Sequence, residues 1–408
     1  METNQYLKAF EALKADRQGE SSWLLRLREE ARSSFTEKGF PTQKDDAWRY
    51  TDLTSLRGAA FVLAGGSVQT GRLSKPREGV EILDILEAVT AFPELLEKHL
   101  GRHAEYAKDP FSALNTGFFS GGTFIRIADG IVLQEPLHLV HSAAPGRKGS
   151  AFQPRTLILV GKNSKASVVE TYAAENGGSY FTNAVTEIVL EEGSRMEHCK
   201  IQRESPEAFH IAMTQVTQGR GSSFVSFALS IGGRLMRNEC RVALTAEGAS
   251  CELNGLSLGE GGQVSDQQTF VDHQKPDGKS DQFFKGLWAG NSRGVFRGQV
   301  RVRQDAQGTD AHQTHKSLLL SNTATVDTQP QLEILADDVK CSHGAAVGQL
   351  QEDELFYLRS RGIGAEEAGR ILAQGFATEV IERSSLGFMR ETLVELVKEK
   401  LEKQSLCS

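Results

Sequence analysis

The chain has 408 residues, 39% of them hydrophobic, and its 46 basic and 53 acidic side chains leave a formal charge of −7. This excludes a disordered chain, leaves room for two or three domains with ample core, and, without a Lys/Arg block, argues against nucleic acid as the main partner. No window reaches the roughly 18 apolar residues of a membrane helix, and Met1-Glu2-Thr3-Asn4-Gln5 lacks the basic and apolar regions of a secretory signal, so a soluble cytoplasmic protein is expected.

Leu24, Leu27, Ala31 and Phe35 recur at helical spacing behind Ser21 or Ser22 as N-cap, and Gly39 with Pro41 ends that helix. Residues 41–53, with Trp48 and Tyr50, read as a polar loop. Residues 81–106 read as helical again, with Leu83, Ile85, Leu86, Leu95 and Leu96 toward a core, giving an N-terminal helical region over 1–120. From residue 121 the texture changes to short alternating segments at 123–127, 156–160, 186–190 and 241–244, separated by Gly, Asn and Ser, which is a strand pattern.

The turns keep time. Asn163-Ser164, Gly193-Ser194, Gly221-Ser222 and Ala249-Ser250 place their serines 30, 28 and 28 residues apart. Asn291-Ser292 and Asn322-Thr323 follow at 42 and 31, the longer gap reading as one insertion. A repeat of strands without helices predicts a β-solenoid over 121–350, with an antiparallel sandwich as the alternative. Solenoid corners need the positive φ that Gly and Asn supply, and Pro would remove a ladder donor, which accounts for 40 Gly against 10 Pro. After residue 350 the period returns to 3.6: Leu355, Leu358, Ala368, Ile371 and Leu372 fit helical stripes broken at Gly362 and Gly364. A last helix carries Met389, Leu393, Leu396, Val397 and Leu401, so 351–408 forms a C-terminal helical domain.

The chain has no phosphate cradle: Gly278-Lys279-Ser280 has His273 where a P-loop needs its first Gly, and Gly362-Ile363-Gly364 is followed by Glu367 where a dinucleotide loop needs its third. Any ATP chemistry therefore belongs to a partner. Five widely spaced cysteines (199, 240, 251, 341, 407) with no C-x-x-C pair fit a reducing compartment. In an extended strand Cys341 and His343 share a face, and a thiolate with an imidazole suits iron, an iron–sulfur cluster or zinc. Two ligands do not close a site, so completion needs another chain or distant residues; the plainer reading is a small buried Cys beside a surface His. His312 and His315, three apart, face opposite sides, while His198-Cys199 and His210 converge only if coils stack in register. Cys240 and Cys251 read as solenoid interior and Cys407 as incidental. Asp266, Asp272, Asp277 and Asp281 resemble, in architecture alone, the acids of polysaccharide-cutting β-helix enzymes; otherwise they are polar turn residues of the insertion.

Asp337-Asp338-Val339-Lys340-Cys341-Ser342-His343-Gly344-Ala345, followed by Asp353-Glu354-Leu355-Phe356-Tyr357-Leu358-Arg359-Ser360-Arg361-Gly362-Ile363, resembles the SufB/SufD family of the SUF iron–sulfur cluster assembly machinery, on its D side. Gly39-Phe40-Pro41-Thr42 through Trp48-Arg49-Tyr50-Thr51 agrees, as does His315-Lys316-Ser317-Leu318-Leu319-Leu320-Ser321 leading to Gln331-Leu332-Glu333-Ile334. The resemblance implies a mainly β, right-handed parallel β-helix flanked by helical domains. It implies a non-catalytic subunit that pairs through its solenoid with the SufB paralogue and docks the SufC ATPase, with a homodimer in isolation; a SufB-type cluster scaffold is the alternative. It makes His343 the histidine that faces a partner cysteine where a nascent cluster forms, assisted by Cys341. It assigns ATPase contacts to Leu355, Tyr357, Leu358, Arg361, Ile363 and Phe376. It implies no tightly bound cofactor, a transient cluster or iron shared with the paralogue, and a reduced flavin in the complex.

Overall fold

A computed structural model describes residues 20–59, 61–63, 67–70, 77–143, 149–174 and 177–403; the expectations for Met1 to Gln5 and for Cys407 lie outside these. Between the helical ends the chain winds into a parallel β-solenoid of about eight turns. Each coil contributes one strand to each of two sheets. The first sheet runs from Val80–Asp84 through Arg155–Val160 and Phe209–Gln218 to Arg293–Val302 and Thr325–Ile334, the second from Ser67–Thr70 through Lys165–Ala174 and Ser223–Ser230 to Thr309–Leu319 and Val339–Gln349. Lys165, Arg195, Ser223, Ser250, Lys279 and Asp310 stack in register, so one coil takes 27 to 31 residues, as the turn spacing predicts. The strands alternate inward and outward, and Ile158, Ile188, Val216, Val242, Val271 and Val300 form one column of the interior core.

The corners explain the spacing and correct part of it. At one corner Asn163, Gly193, Gly221, Gly248, Asp277 and Gly308 all adopt positive φ. Backbone bonds run from each to the next coil: Gly193 N–H to Arg220, Gly221 to Glu247, Gly248 to Pro276 and Asp277 to Gln307. Ser292 and Thr323 lie at the opposite corner, beyond Gly290. The gap of 42 residues is therefore a change of corner, and there is no insertion. Consequently Asp266 and Asp272 belong to strand Val264–His273 and Asp281 to Lys279–Trp288, leaving Asp277 alone at a turn. Nor do they form a carboxylate pair: Asp266 binds Arg237, Asp272 binds Arg303 and Asp281 binds Arg383.

The helical expectation for 81–106 also changes at its start. Val80–Asp84 is a strand antiparallel to Gly122–Ile127, because Val80 and Ile82 alternate into the solenoid interior. Asp84 then ends the strand by accepting from Leu86 N at 2.8 Å, capping helix Ile85–Ala91. Helix Ser22–Lys38 ends at Gly39 as expected. Helix Ser22–Lys38 and the segments up to residue 119 cover the first sheet with two apolar clusters. The polar loop at 41–53 is a clamp: Trp48 lies 3.9 Å under the Arg237 guanidinium and 5.1 Å from the Phe111 ring.

The C-terminal helices Glu352–Ser360, Ala365–Arg383 and Arg390–Lys403 follow the predicted breaks, with Gly362 at positive φ. The second and third pack on the outer face of the second sheet, where Ala373, Ala377, Val397 and Leu401 meet Ile201, Phe227 and Phe283. They leave the end of the solenoid uncovered. At the start, antiparallel strands Ser67–Thr70 and Val80–Asp84 finish the two sheets; at the far end Thr325–Ile334 and Val339–Gln349 are parallel edges that no strand among the described residues pairs with.

Candidate functional site at the open end

The last strand places the Cys-x-His motif on this open end. Cys341 is in register with Ala311 and His343 with Gln313. Cys341 packs against the interior cluster, so His343, two residues on, lies on the same inner face with no coil above it. His343 is exposed and Cys341 half-buried. Burial pushes the Cys341 thiol up, against the opposing effect of a backbone hydrogen bond at Ala311, so a metal must displace its proton to bind. Among the described residues no group of three or more His, Cys, Asp or Glu side chains is arranged to hold a metal ion. Cys341 and His343 thus offer an incomplete pair at an unpaired strand edge.

The other histidines separate as their spacing predicts. His312 faces outward, 2.7 Å from Ser342 Oγ and 2.9 Å from Asp310 Oδ1. His315 faces inward, stacked 4.4 Å from Phe296 and 2.9 Å from Thr328 Oγ1, and burial lowers its pKa to about 3. His198 and His210 do reach one internal cluster, because their coils stack in register. His198 Nε2 is 3.0 Å from Glu170 Oε2, and His210 Nδ1 is 2.7 Å from Glu204 Oε2. Burial alone would raise the Glu170 carboxyl, but His141 and His198 hold it well below the usual range. Lys200, buried beside Asn238 Oδ1 at 2.8 Å, is lowered to about 8. Sequence reasoning named His198 and His210 but missed the other members of this cluster, although Glu170 and Tyr172, then Lys200 and Gln202, carry the signal: polar residues at period two on an otherwise apolar inner face.

Cys240 and Cys251 are interior, as predicted, whereas Cys199 lies on the outer face beneath the C-terminal helices. Burial pushes the Cys199 and Cys240 thiols up to about 12 and the Cys251 thiol higher still.

The C-terminal candidates divide into three. Helix Glu352–Ser360 buries no residue, and Tyr357 is 58% exposed with the Arg361 guanidinium 5.3 Å above its ring. Leu355, Leu358 and Ile363 are half-buried. Phe376 faces the solenoid, its ring 3.9 Å from the Lys285 ammonium, and Lys285 also binds Glu379. Phe356, 73% exposed beside Tyr357, was not among the candidates; its side-by-side placement with Tyr357 on a charged helix was the available signal.

Comparison with known proteins agrees with this layout. The family described as SUF system FeS cluster assembly, SufBD core domain, matches residues 142–376, and the SufBD protein N-terminal region matches 1–71 and 58–139. An iron–sulfur cluster assembly SufBD family protein of Synechocystis is 30% identical over 414 residues, covering 93% of this chain and 91% of that protein. The iron–sulfur cluster assembly protein SufD of Escherichia coli is 29% identical, covering 84% of this chain and 85% of its own. The chloroplastic protein ABCI7 of Arabidopsis thaliana is 31% identical over 88% of this chain and 82% of its own. With the core match spanning more than half its length, the chain belongs to the SufB/SufD family of iron–sulfur cluster assembly proteins of the SUF system.

Proposed function

We propose that the chain is a non-catalytic, D-type subunit whose open solenoid end pairs with a SufB-type paralogue and shares a nascent cluster or iron with it. The observation that carries this is the asymmetry of the two ends. One end is finished by antiparallel strands, while the other exposes two parallel edges with Cys341 and His343 on their inner face. Bare edges present unpaired N–H and C=O groups that a second solenoid end can pair with, and a half-built ligand set is what a shared site needs from one side. Iron or the cluster is then cargo rather than a resident cofactor. A SufC-type ATPase docks on helix Glu352–Ser360, and the ion pairs of Glu379 with Lys285 and Lys316 carry its movement to the sheet that ends in the Cys341 strand.

The thiols favour this over a SufB-type scaffold. Cys199, Cys240 and Cys251 are buried and protonated, leaving Cys341 as the reachable thiol among the described residues. Dispersed ion-paired aspartates likewise give no support to a polysaccharide-acting enzyme. The test is His343→Ala in the complex co-expressed with its paralogue and ATPase, read anaerobically by cluster absorbance. Cluster yield is expected to fall several-fold with the complex intact. Undiminished yield removes His343 from the site.

A further inference from the structure

One coil below His343, in register with it, sits Gln313, 1% exposed on the inner face. Its Nε2 donates to Gln282 Oε1 at 3.3 Å, one coil further in. That bond turns the Gln313 amide so that its Oε1 is buried without a hydrogen-bond partner among the described residues. The opposite sheet makes room for the amide. A Cβ at Gly298 would fall well inside contact distance of Gln313 Nε2 and 3.0 Å from its Oε1, so a glycine is what seats this side chain. Gln282, Gln313 and His343 thus form an inner-face column on neighbouring strands, which lie about 4.8 Å apart. The column ends on an exposed imidazole above a buried, unused acceptor.

We infer that Gln313 is the positioning residue of His343: when the exposed ring turns toward the column, the Gln313 Oε1 that has no partner among the described residues accepts a hydrogen bond from one imidazole nitrogen. That bond fixes the neutral tautomer and leaves the lone pair of the other nitrogen facing out of the open end. Ligating imidazoles need such an acceptor, because a ring free to exchange tautomers and orientation presents the wrong nitrogen part of the time. The inference rests on His343 being a ligand. It adds a residue from the preceding coil, about thirty positions upstream of the strand motif, and explains why the amide is clamped from both Gln282 and Gly298.

The experiment uses the full chain with ¹⁵N-labelled histidine at pH 8, His343 being assigned by the loss of its signals in His343→Gln. One tautomer is expected for His343, with the protonated nitrogen toward Gln313. Gln313→Leu fills the space but removes the acceptor, and is expected to mix the tautomers. Gly298→Ala displaces the amide from the other sheet and is expected to do the same without touching the His343 strand; Gln313→Glu keeps an acceptor and the single tautomer. Anaerobic Co²⁺ binding by the chain paired with its paralogue is expected to weaken about 10- to 100-fold in Gln313→Leu. A His343 tautomer that is mixed in the unaltered chain, or unmoved in both Gln313→Leu and Gly298→Ala, overturns the role of Gln313. Tautomers that shift as expected while His343→Gln spares Co²⁺ binding overturn the ligand reading instead.

Discussion

At the scale of single residues, a buried long-range tie is built around Asp266. It is fully buried and accepts hydrogen bonds from Arg237 Nη1 at 2.6 Å and from Thr51 Oγ1 at 2.6 Å. Arg237 reaches on to Ala47 O at 2.8 Å and holds Trp48 beneath its guanidinium. The charge of Asp266 therefore joins the N-terminal loop to strands Leu235–Leu244 and Val264–His273 on the outer face of the first sheet. Removing one partner of a buried pair costs about 3–5 kcal/mol, because the other charge stays behind. Glu239, 3.2 Å from Arg237 Nη2, remains to share that charge, which puts Asp266→Ala at the low end, about 3 kcal/mol, by urea unfolding. Trp48→Ala should be as costly, and the double variant should cost less than the two singly, since both loosen one clamp. Strict additivity would show that the clamp is two independent contacts. Trp48 stood out in the sequence; the Thr51–Asp266 bond beside it did not, because the two residues are 215 positions apart.

Among the elements, what could be read early was whatever repeats. Strands at 123–127, 156–160, 186–190 and 241–244 fall inside observed strands, since period-two alternation on a buried face is a local property. The insertion was misread because Ser and Asn serve either corner equally well, so spacing alone cannot tell which corner a turn belongs to. Likewise Cys341 and His343 could be placed on one face from strand period, but that the face is an uncovered end depends on where the helices go after residue 350. Helix Glu352–Ser360 shows the same limit. Its apolar residues fit a core stripe, yet Phe356 and Tyr357 face solvent and nothing in it is buried. A nine-residue helix is marginal alone, and in the proposed reading its paired exposed aromatics form the ATPase docking face. Phe356→Ala/Tyr357→Ala should leave solenoid melting unchanged and reduce ATPase binding at least tenfold by calorimetry. Full ATPase binding in that variant would move the docking face elsewhere.

For the whole molecule, groups buried in the solenoid interior and beneath the N-terminal cover of the first sheet set the response to acid. Burial lowers the pKa of His99 and His273 to about 4 and of His315 to about 3, and lowers His103 and His210 as well. The unfolded chain binds these protons near pH 6.5, so from there down to about 4 the folded state holds fewer protons and loses stability as pH falls. Glu170, Glu187, Glu204 and Glu239 are held low against the cost of burial by their histidine and arginine neighbours. Their contribution is present above the unfolded carboxyl range and is lost below it, in the same direction. Asp109, raised by burial, opposes them, but it is one group against nine. Because each coil is stabilised by its neighbours, these losses act on the stack as a unit. Each depressed histidine adds up to about 1.4 kcal/mol per pH unit to the slope. His273 isolates one such term. It stacks in register between Leu244 and Val302, its one side-chain hydrogen bond going to Ser280 Oγ at 2.9 Å, so Leu can replace it in kind. His273→Leu should flatten the fall in urea-unfolding free energy between pH 6.5 and 4 by about one proton. A slope equal to that of the unaltered chain would mean that His273 takes up its proton inside the folded coil.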